Sequence, residues 1–190
     1  MNIALFFGSF NPIHLGHLFI ANHMAHHTDL DEVWFIVSPQ NPYKEKKNLL
    51  SEYDRLHLVN LSIEDNPKLR SKDIEFYLPK PSYTIDTLIF LEEKYPNYRF
   101  ALIMGADNLK TLPKWKKGDL LMKNYPIYVY TRPGTKLAEE KYPKNIVLQE
   151  TPQVYLSASY IREEIKNGGS IKYLVPESVE QYIHDSGWYK

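Results

Sequence analysis

The chain contains no cysteine. That excludes disulfides, thiolate zinc sites, cysteine-ligated iron–sulfur clusters and a cysteine nucleophile, and it suits a reducing compartment. Neither sign of charge is in excess, with Lys plus Arg and Asp plus Glu at 23 each. A protein that lives on the phosphates of DNA or RNA is usually basic, so a nucleic-acid polymer is not the expected partner. A small phosphorylated ligand needs only a local positive pocket. Long hydrophobic runs are missing too. The N-terminal apolar run, Ile3 to Phe7, has no basic segment before it and is too short for a signal-peptide core or a membrane span. The expectation is a cytoplasmic protein with no membrane association. Glycine is sparse, 8 of 190 residues, and scattered like the 13 prolines, so no linker, repeat or low-complexity tract divides the chain. One domain over 1–190 is expected, its C-terminal helical part running from about 157 to 190.

What is present is an ordinary globular balance, 43% hydrophobic and 24% charged, long enough to bury a core without staples. Four short apolar runs read as strands covered on both faces: Ile3 to Phe7, Val33 to Val37, Phe100 to Met104 and Ile127 to Tyr130. They are continuous rather than alternating, as in a parallel sheet. Leu69 to Leu78 reads as a further extended segment. Helical patterns fall between them: Leu15 to His27, Ser51 to Ile63 and Thr84 to Tyr95, then Ser159 to Lys166 and Pro176 to His184. This alternation predicts an α/β fold, doubly wound around a mostly parallel sheet. The loop zones Ser38 to Asn48 and Thr131 to Lys144 follow strands. In such sheets ligands sit beyond the carboxyl ends of the strands, so both zones are candidate ligand walls.

The sharpest signal is Gly8-Ser9-Phe10-Asn11-Pro12-Ile13-His14-Leu15-Gly16-His17, directly after the first strand and opening the first helix. Unpaired N–H groups at a helix start favour a phosphate. Gly16, without a side chain, lets a ligand approach. His14 and His17, three apart, share one face of that turn and can donate to phosphate oxygens. His23, His26 and His27 lie further along the helix, and no carboxylate joins them at ligand spacing before Asp29. They read as a solvated helix end rather than a metal site.

This string resembles the bacterial nicotinate mononucleotide adenylyltransferases, part of the Rossmann-like nucleotidyltransferase superfamily that carries His-x-Gly-His after its first strand. Four further segments match in order. Pro39-Gln40-Asn41-Pro42-Tyr43-Lys44 resembles the family's Pro-Pro-His-Lys, with Tyr43 in place of His. Pro81-Ser82-Tyr83-Thr84-Ile85-Asp86-Thr87-Leu88 matches Ser-Tyr-Thr-x-Asp-Thr-Leu, although Thr84 also suits a helix N-cap. Gly105-Ala106-Asp107-Asn108 precedes Leu112-Pro113-Lys114-Trp115, where Asp107 doubles as a plausible cap. Leu156-Ser157-Ala158-Ser159-Tyr160-Ile161-Arg162 resembles Ser-x-Thr-x-x-Arg at a helix start, with Ser159 keeping the hydroxyl. Capping alone explains the serines, but not an arginine at a place the helix dipole disfavours.

The resemblance implies transfer of the adenylyl group of ATP to nicotinate mononucleotide, with Mg²⁺ carried by the triphosphate and no protein metal site. It implies that His14, His17 and Arg162 are catalytic. Gly8, Ser9, Phe10, Lys44, Gly105, Asp107, Arg132, Ser157 and Ser159 would bind ATP and its phosphates. Thr84, Ile85, Trp115 and Lys116 would bind the nicotinate nucleotide, Trp115 by stacking on the pyridine ring. A homo-oligomer is compatible with the sequence. The alternatives are an adenylyltransferase for nicotinamide mononucleotide, another nucleotidyltransferase of the superfamily, and a nucleotide-binding regulator without catalysis. The Ser-Tyr-Thr string and Trp115 weigh against the first two, and intact His14, His17 and Arg162 against the last.

Overall fold

The continuous apolar runs become the strands of one sheet. The computed structural model describes residues 1–39, 49–131, 142–151 and 154–190. Among these, six strands run parallel: β1 (Asn2–Gly8), β2 (Glu32–Val37), β3 (Leu69–Lys72), β4 (Arg99–Gly105), β5 (Ile127–Tyr130) and β6 (Ile146–Gln149). Their spatial order is β3-β2-β1-β4-β5-β6. The helices described are α1 (Leu15–His27), α2 (Glu52–Ile63), α3 (Thr84–Lys94), α4 (Ala106–Thr111), α5 (Gly118–Asn124), α6 (Ala158–Lys166) and α7 (Glu177–Ser186).

Successive side chains of a strand point to opposite faces, and the core divides accordingly. Ala4, Phe6, Ala101 and Ile103 pack on one face, with Met24 of α1, Leu58 of α2, Ile161 of α6 and Val179 of α7. Ile3, Leu5, Leu102 and Met104 pack on the other, with Leu88 of α3, Leu109 of α4 and Leu121 of α5. Both faces are covered, which is why these strands read as unbroken apolar runs. The winding reverses between β1 and β4, so a crevice opens at their carboxyl ends.

The expected extended segment Leu69 to Leu78 is strand only as far as Lys72; a 3₁₀ turn, Ile74–Phe76, follows and buries Ile74 and Glu75. Tyr83, not Thr84, is the N-cap of α3, and Gly105, not Asp107, is the N-cap of α4. Strand β6 and helices α4 and α5 were not legible as periodic patterns. Lys117 opens α5 with a φ of +54°, and a Cβ on Gly118 would lie 2.0 Å from the Leu112 carbonyl oxygen, so only glycine fits there. Among the described residues no helix is long and apolar enough to cross a membrane.

Candidate active site

The β1–α1 loop builds the histidine pair. Phe10 takes a φ of +46°, and its buried ring packs edge-on against His17 at 5.1 Å and against Phe6 and Phe35. A Cβ on Gly8 would lie 2.7 Å from that ring, so Gly8 makes room for Phe10. His14 is the extended N-cap of α1 and is only 5% exposed. Its ring stacks on His17 with centroids 3.7 Å apart. Gly16 does something other than admit a ligand: the space its Cβ would take holds the His14 imidazole, with Nδ1 3.0 Å away. The helix start also offers fewer donors than its sequence implies. The Leu15 N–H donates to Leu174 O at 3.0 Å, and the His17 N–H donates to His14 O at 2.9 Å.

Helix α6 approaches the same loop. Ser157 is its N-cap, accepting from the Tyr160 N–H at 3.2 Å. Ser159 is not a cap; it accepts from Arg162 Nη2 at 3.2 Å. Arg162 Nη1 donates to Asn11 O at 2.7 Å, which fixes the guanidinium against the β1–α1 loop. Ser157 and Ser159 remain exposed beside it.

A cleft opens on the other flank of Gly8. Its walls include Gly8, Ser38, Glu75, Thr84, Trp115 and Lys116. Trp115 is half-buried, its indole N–H donating to Thr111 Oγ1 at 3.3 Å. Lys116 Nζ donates to both Asp86 carboxylate oxygens, at 3.0 and 2.8 Å, and lies 4.7 Å from the Tyr83 ring centroid. The Ile85 side chain is core, leaving only its backbone N–H for a ligand. The start of α3 has no side-chain cap from Tyr83. Its Asp86 and Thr87 N–H groups donate to Tyr83 O, so the amides of Thr84 and Ile85 are the ones placed for an anion. Gly105 ends β4, and Asp107 is exposed in the first turn of α4. Lys44 and Arg132, and most of both expected loop walls, lie outside the described residues.

A family model described as Cytidylyltransferase-like matches residues 5–164. A Flavobacterium psychrophilum protein bearing the name of a nicotinate-nucleotide adenylyltransferase is 51% identical over 192 residues, covering all of both chains. The chain belongs to the nicotinate-nucleotide adenylyltransferase family. A Cytophaga hutchinsonii relative of the same name is 50% identical and covers all of this chain and 98% of its own. The fold is also that of the Plasmodium falciparum nicotinic acid mononucleotide adenylyltransferase solved in complex with NaAD. The TM-score is 0.83 at 22% identity, over 99% of this chain and 97% of that one.

Three residues that shape this adenylyltransferase-family site escaped the sequence reading. Arg55 is fully buried and donates to four carbonyls: Ser9 O at 2.6 Å, Ser38 O at 2.8 Å, Leu50 O at 3.0 Å and Pro39 O at 3.1 Å. It ties the loop after β1 to the loop after β2. Burial lowers its pKa from the usual value, and the carbonyls stabilise its charge. Tyr189 donates to Asn11 Oδ1 at 2.6 Å, holding the same loop from the C-terminal side. Glu75 is 2% exposed on the cleft wall. A signal existed for Arg55, which falls on the apolar stripe of α2 with Leu58, Val59 and Ile63. Glu75 and Tyr189 carry no pattern of their own.

Proposed function

We propose that this chain transfers the adenylyl group of ATP to nicotinate mononucleotide, giving nicotinate adenine dinucleotide and pyrophosphate. The observation that carries this is the two-sided site about Gly8. An aromatic-walled cleft with an amide pair lies on one flank, and a histidine pair with an arginine lies on the other. The first suits a flat anionic ring, the second a triphosphate.

In this reading the Thr84 and Ile85 N–H groups receive the nicotinate carboxylate, Trp115 stacks on the pyridine ring, and Lys116 adds positive charge at the rim. Arg162, Ser157 and Ser159 hold phosphate oxygens of ATP, joined by Lys44 and Arg132. The backbone near Gly8, Ser9 and Gly105 lets the nucleotide approach closely, Phe10 backs the histidines, and Asp107 accepts from the sugar. An oxygen of the mononucleotide 5′-phosphate attacks the α-phosphorus of ATP. A new P–O bond forms as the bond to the β-phosphate oxygen breaks, and pyrophosphate leaves with that electron pair. No side chain takes the adenylyl group, so catalysis is positioning plus charge stabilisation. His14 and His17 face the α-phosphate and meet the charge that develops on it. The divalent ion enters with the substrate, as Mg²⁺–ATP, since Mg²⁺ keeps several waters and binds largely through substrate phosphates.

The test is product analysis. Protein, ATP, Mg²⁺ and nicotinate mononucleotide should yield the dinucleotide and pyrophosphate in equal amounts. Pyrophosphate without the dinucleotide, or no turnover, would remove this reading.

A further inference from the structure

Glu75 places a carboxylate in the wall of a cleft that the proposed function fills with an anionic ring. Left without partners, a buried carboxylate would be costly and would repel the substrate. Its oxygens are instead occupied. Oε2 accepts from the Ser82 hydroxyl at 2.9 Å and Oε1 from the Thr87 hydroxyl at 2.9 Å. The Ser38 hydroxyl on the same cleft wall also favours the charged form of this carboxylate. These hydroxyls come from three places: the end of β2, the segment before α3 and the first turn of α3.

We infer that Glu75 is a positioning residue for the pyridine subsite, a role that rests on the function proposed above. Ser82 and Thr87 bracket Tyr83, Thr84, Ile85 and Asp86, the stretch that contains the two amides placed for the nicotinate carboxylate. One side chain thus fixes both ends of that stretch. With both oxygens accepting from hydroxyls, the charge of Glu75 is drawn toward those donors rather than toward the ring. Ser82 and Thr87 belong to the Ser-Tyr-Thr-Ile-Asp-Thr string. Their hydroxyls are explained by this carboxylate and not by helix capping, since Tyr83 is the cap.

A positioning role of this kind acts on one substrate only. Glu75→Ala should raise KM for nicotinate mononucleotide by about tenfold or more, while kcat and KM for ATP stay within about threefold, because hydrogen bonds to a charged group are lost on the acceptor side alone. Glu75→Gln keeps one carbonyl oxygen and should recover part of the loss. If the alanine variant does not fold, Thr87 carries the test. Thr87→Val, which removes the hydroxyl, should raise the same KM, and Thr87→Ser, which keeps it, should not. Equal effects on KM for ATP and for the mononucleotide, or Thr87→Ser behaving as Thr87→Val does, would overturn the inference. A wild-type enzyme that makes no dinucleotide overturns the proposed function first, and this inference with it. A wild-type enzyme that turns over normally beside variants with unchanged KM overturns the inference alone.

Discussion

The imidazole rings of His14 and His17 lie face to face, 3.7 Å apart between centroids and 22° from parallel. Each ring therefore limits the freedom of the other, and Phe10 supports the pair from behind. The two are not equivalent. His14 is 5% exposed and fills the space beside Gly16, whereas His17 is half-buried. His17→Ala should lower kcat by roughly a hundredfold or more, the usual cost of one lost donor to developing charge, with a melting temperature near wild type. His14→Ala should lose kcat and melting temperature together, because it also opens a void in a packed turn. Steady-state rates and thermal melts on both variants check this. A His17→Ala enzyme with wild-type kcat would take that residue out of the mechanism.

Arg55 holds two loops through four carbonyls, so its removal should act on stability first. Arg55→Met fits the volume but leaves the acceptors unpaired, and one such buried group costs about 1–3 kcal/mol. A loss of about 3 kcal/mol or more should lower the melting temperature by roughly 6–12 °C in a chain of this size. Arg55→Lys cannot reach all four carbonyls and should fall between. Calorimetry on the two variants measures it, and a methionine variant that melts with wild type would show that these bonds are not what holds the loops.

Burial raises the pKa of Glu75 above its ordinary value, against the three hydroxyls that lower it. The folded protein then keeps that proton to a higher pH than the unfolded chain does. The contribution of Glu75 to stability is fullest below the ordinary carboxylate value and declines as pH rises through the folded-state value. Glu75→Gln removes this titration. The melting temperature of wild type minus that of the variant should fall as pH rises from about 4 to about 7. A difference that does not change with pH would contradict the shift.

Much of this architecture was legible in the sequence because burial on both faces leaves a direct trace. Ile3 to Phe7 and Phe100 to Met104 had to be inner strands, and they are β1 and β4. The outer elements left weaker traces. Strand β6 is short, with only Ile146 of its four residues buried, so its pattern is that of a loop. The site divides in the same way. His14, Thr84 and Arg162 were singled out from motif strings at helix starts, and there they lie: His14 is the N-cap of α1, Thr84 the first residue of α3, and Arg162 is in the second turn of α6. Arg55, Glu75 and Tyr189 act through carbonyls and hydroxyls distant in sequence, and no local spacing encodes such contacts. The opposite error occurred at Gly16, where the motif implied room for a ligand and packing gave that room to His14.

Lys116 pairs with Asp86 at the rim of the cleft, with side chains 43% and 38% exposed. An exposed pair of this kind adds about 0–1 kcal/mol to stability, so Lys116→Ala should melt near wild type. Its effect should appear in substrate choice. Without Lys116, the Asp86 charge is left close to the Thr84 and Ile85 amides proposed to receive the nicotinate carboxylate. The preference for nicotinate over nicotinamide mononucleotide should drop by about threefold to tenfold. Trp115→Ala should weaken both substrates alike, since stacking does not read the ring substituent. Parallel kcat/KM values for the two mononucleotides separate these effects. A Lys116→Ala enzyme with an unchanged ratio would assign the lysine to the surface alone.

The most direct measurement is kcat/KM of the wild-type enzyme for nicotinate mononucleotide and for nicotinamide mononucleotide, with Mg²⁺–ATP in excess and pyrophosphate release as the signal. The Thr84 and Ile85 amides can only donate, which a carboxylate satisfies on both oxygens and a carboxamide on one. Hydrogen bonds to a charged group contribute about 1.5–3 kcal/mol, and tenfold corresponds to about 1.4, so nicotinate should be favoured by roughly tenfold to a hundredfold or more. Equal values for the two substrates, or a preference for the amide, would contradict the account.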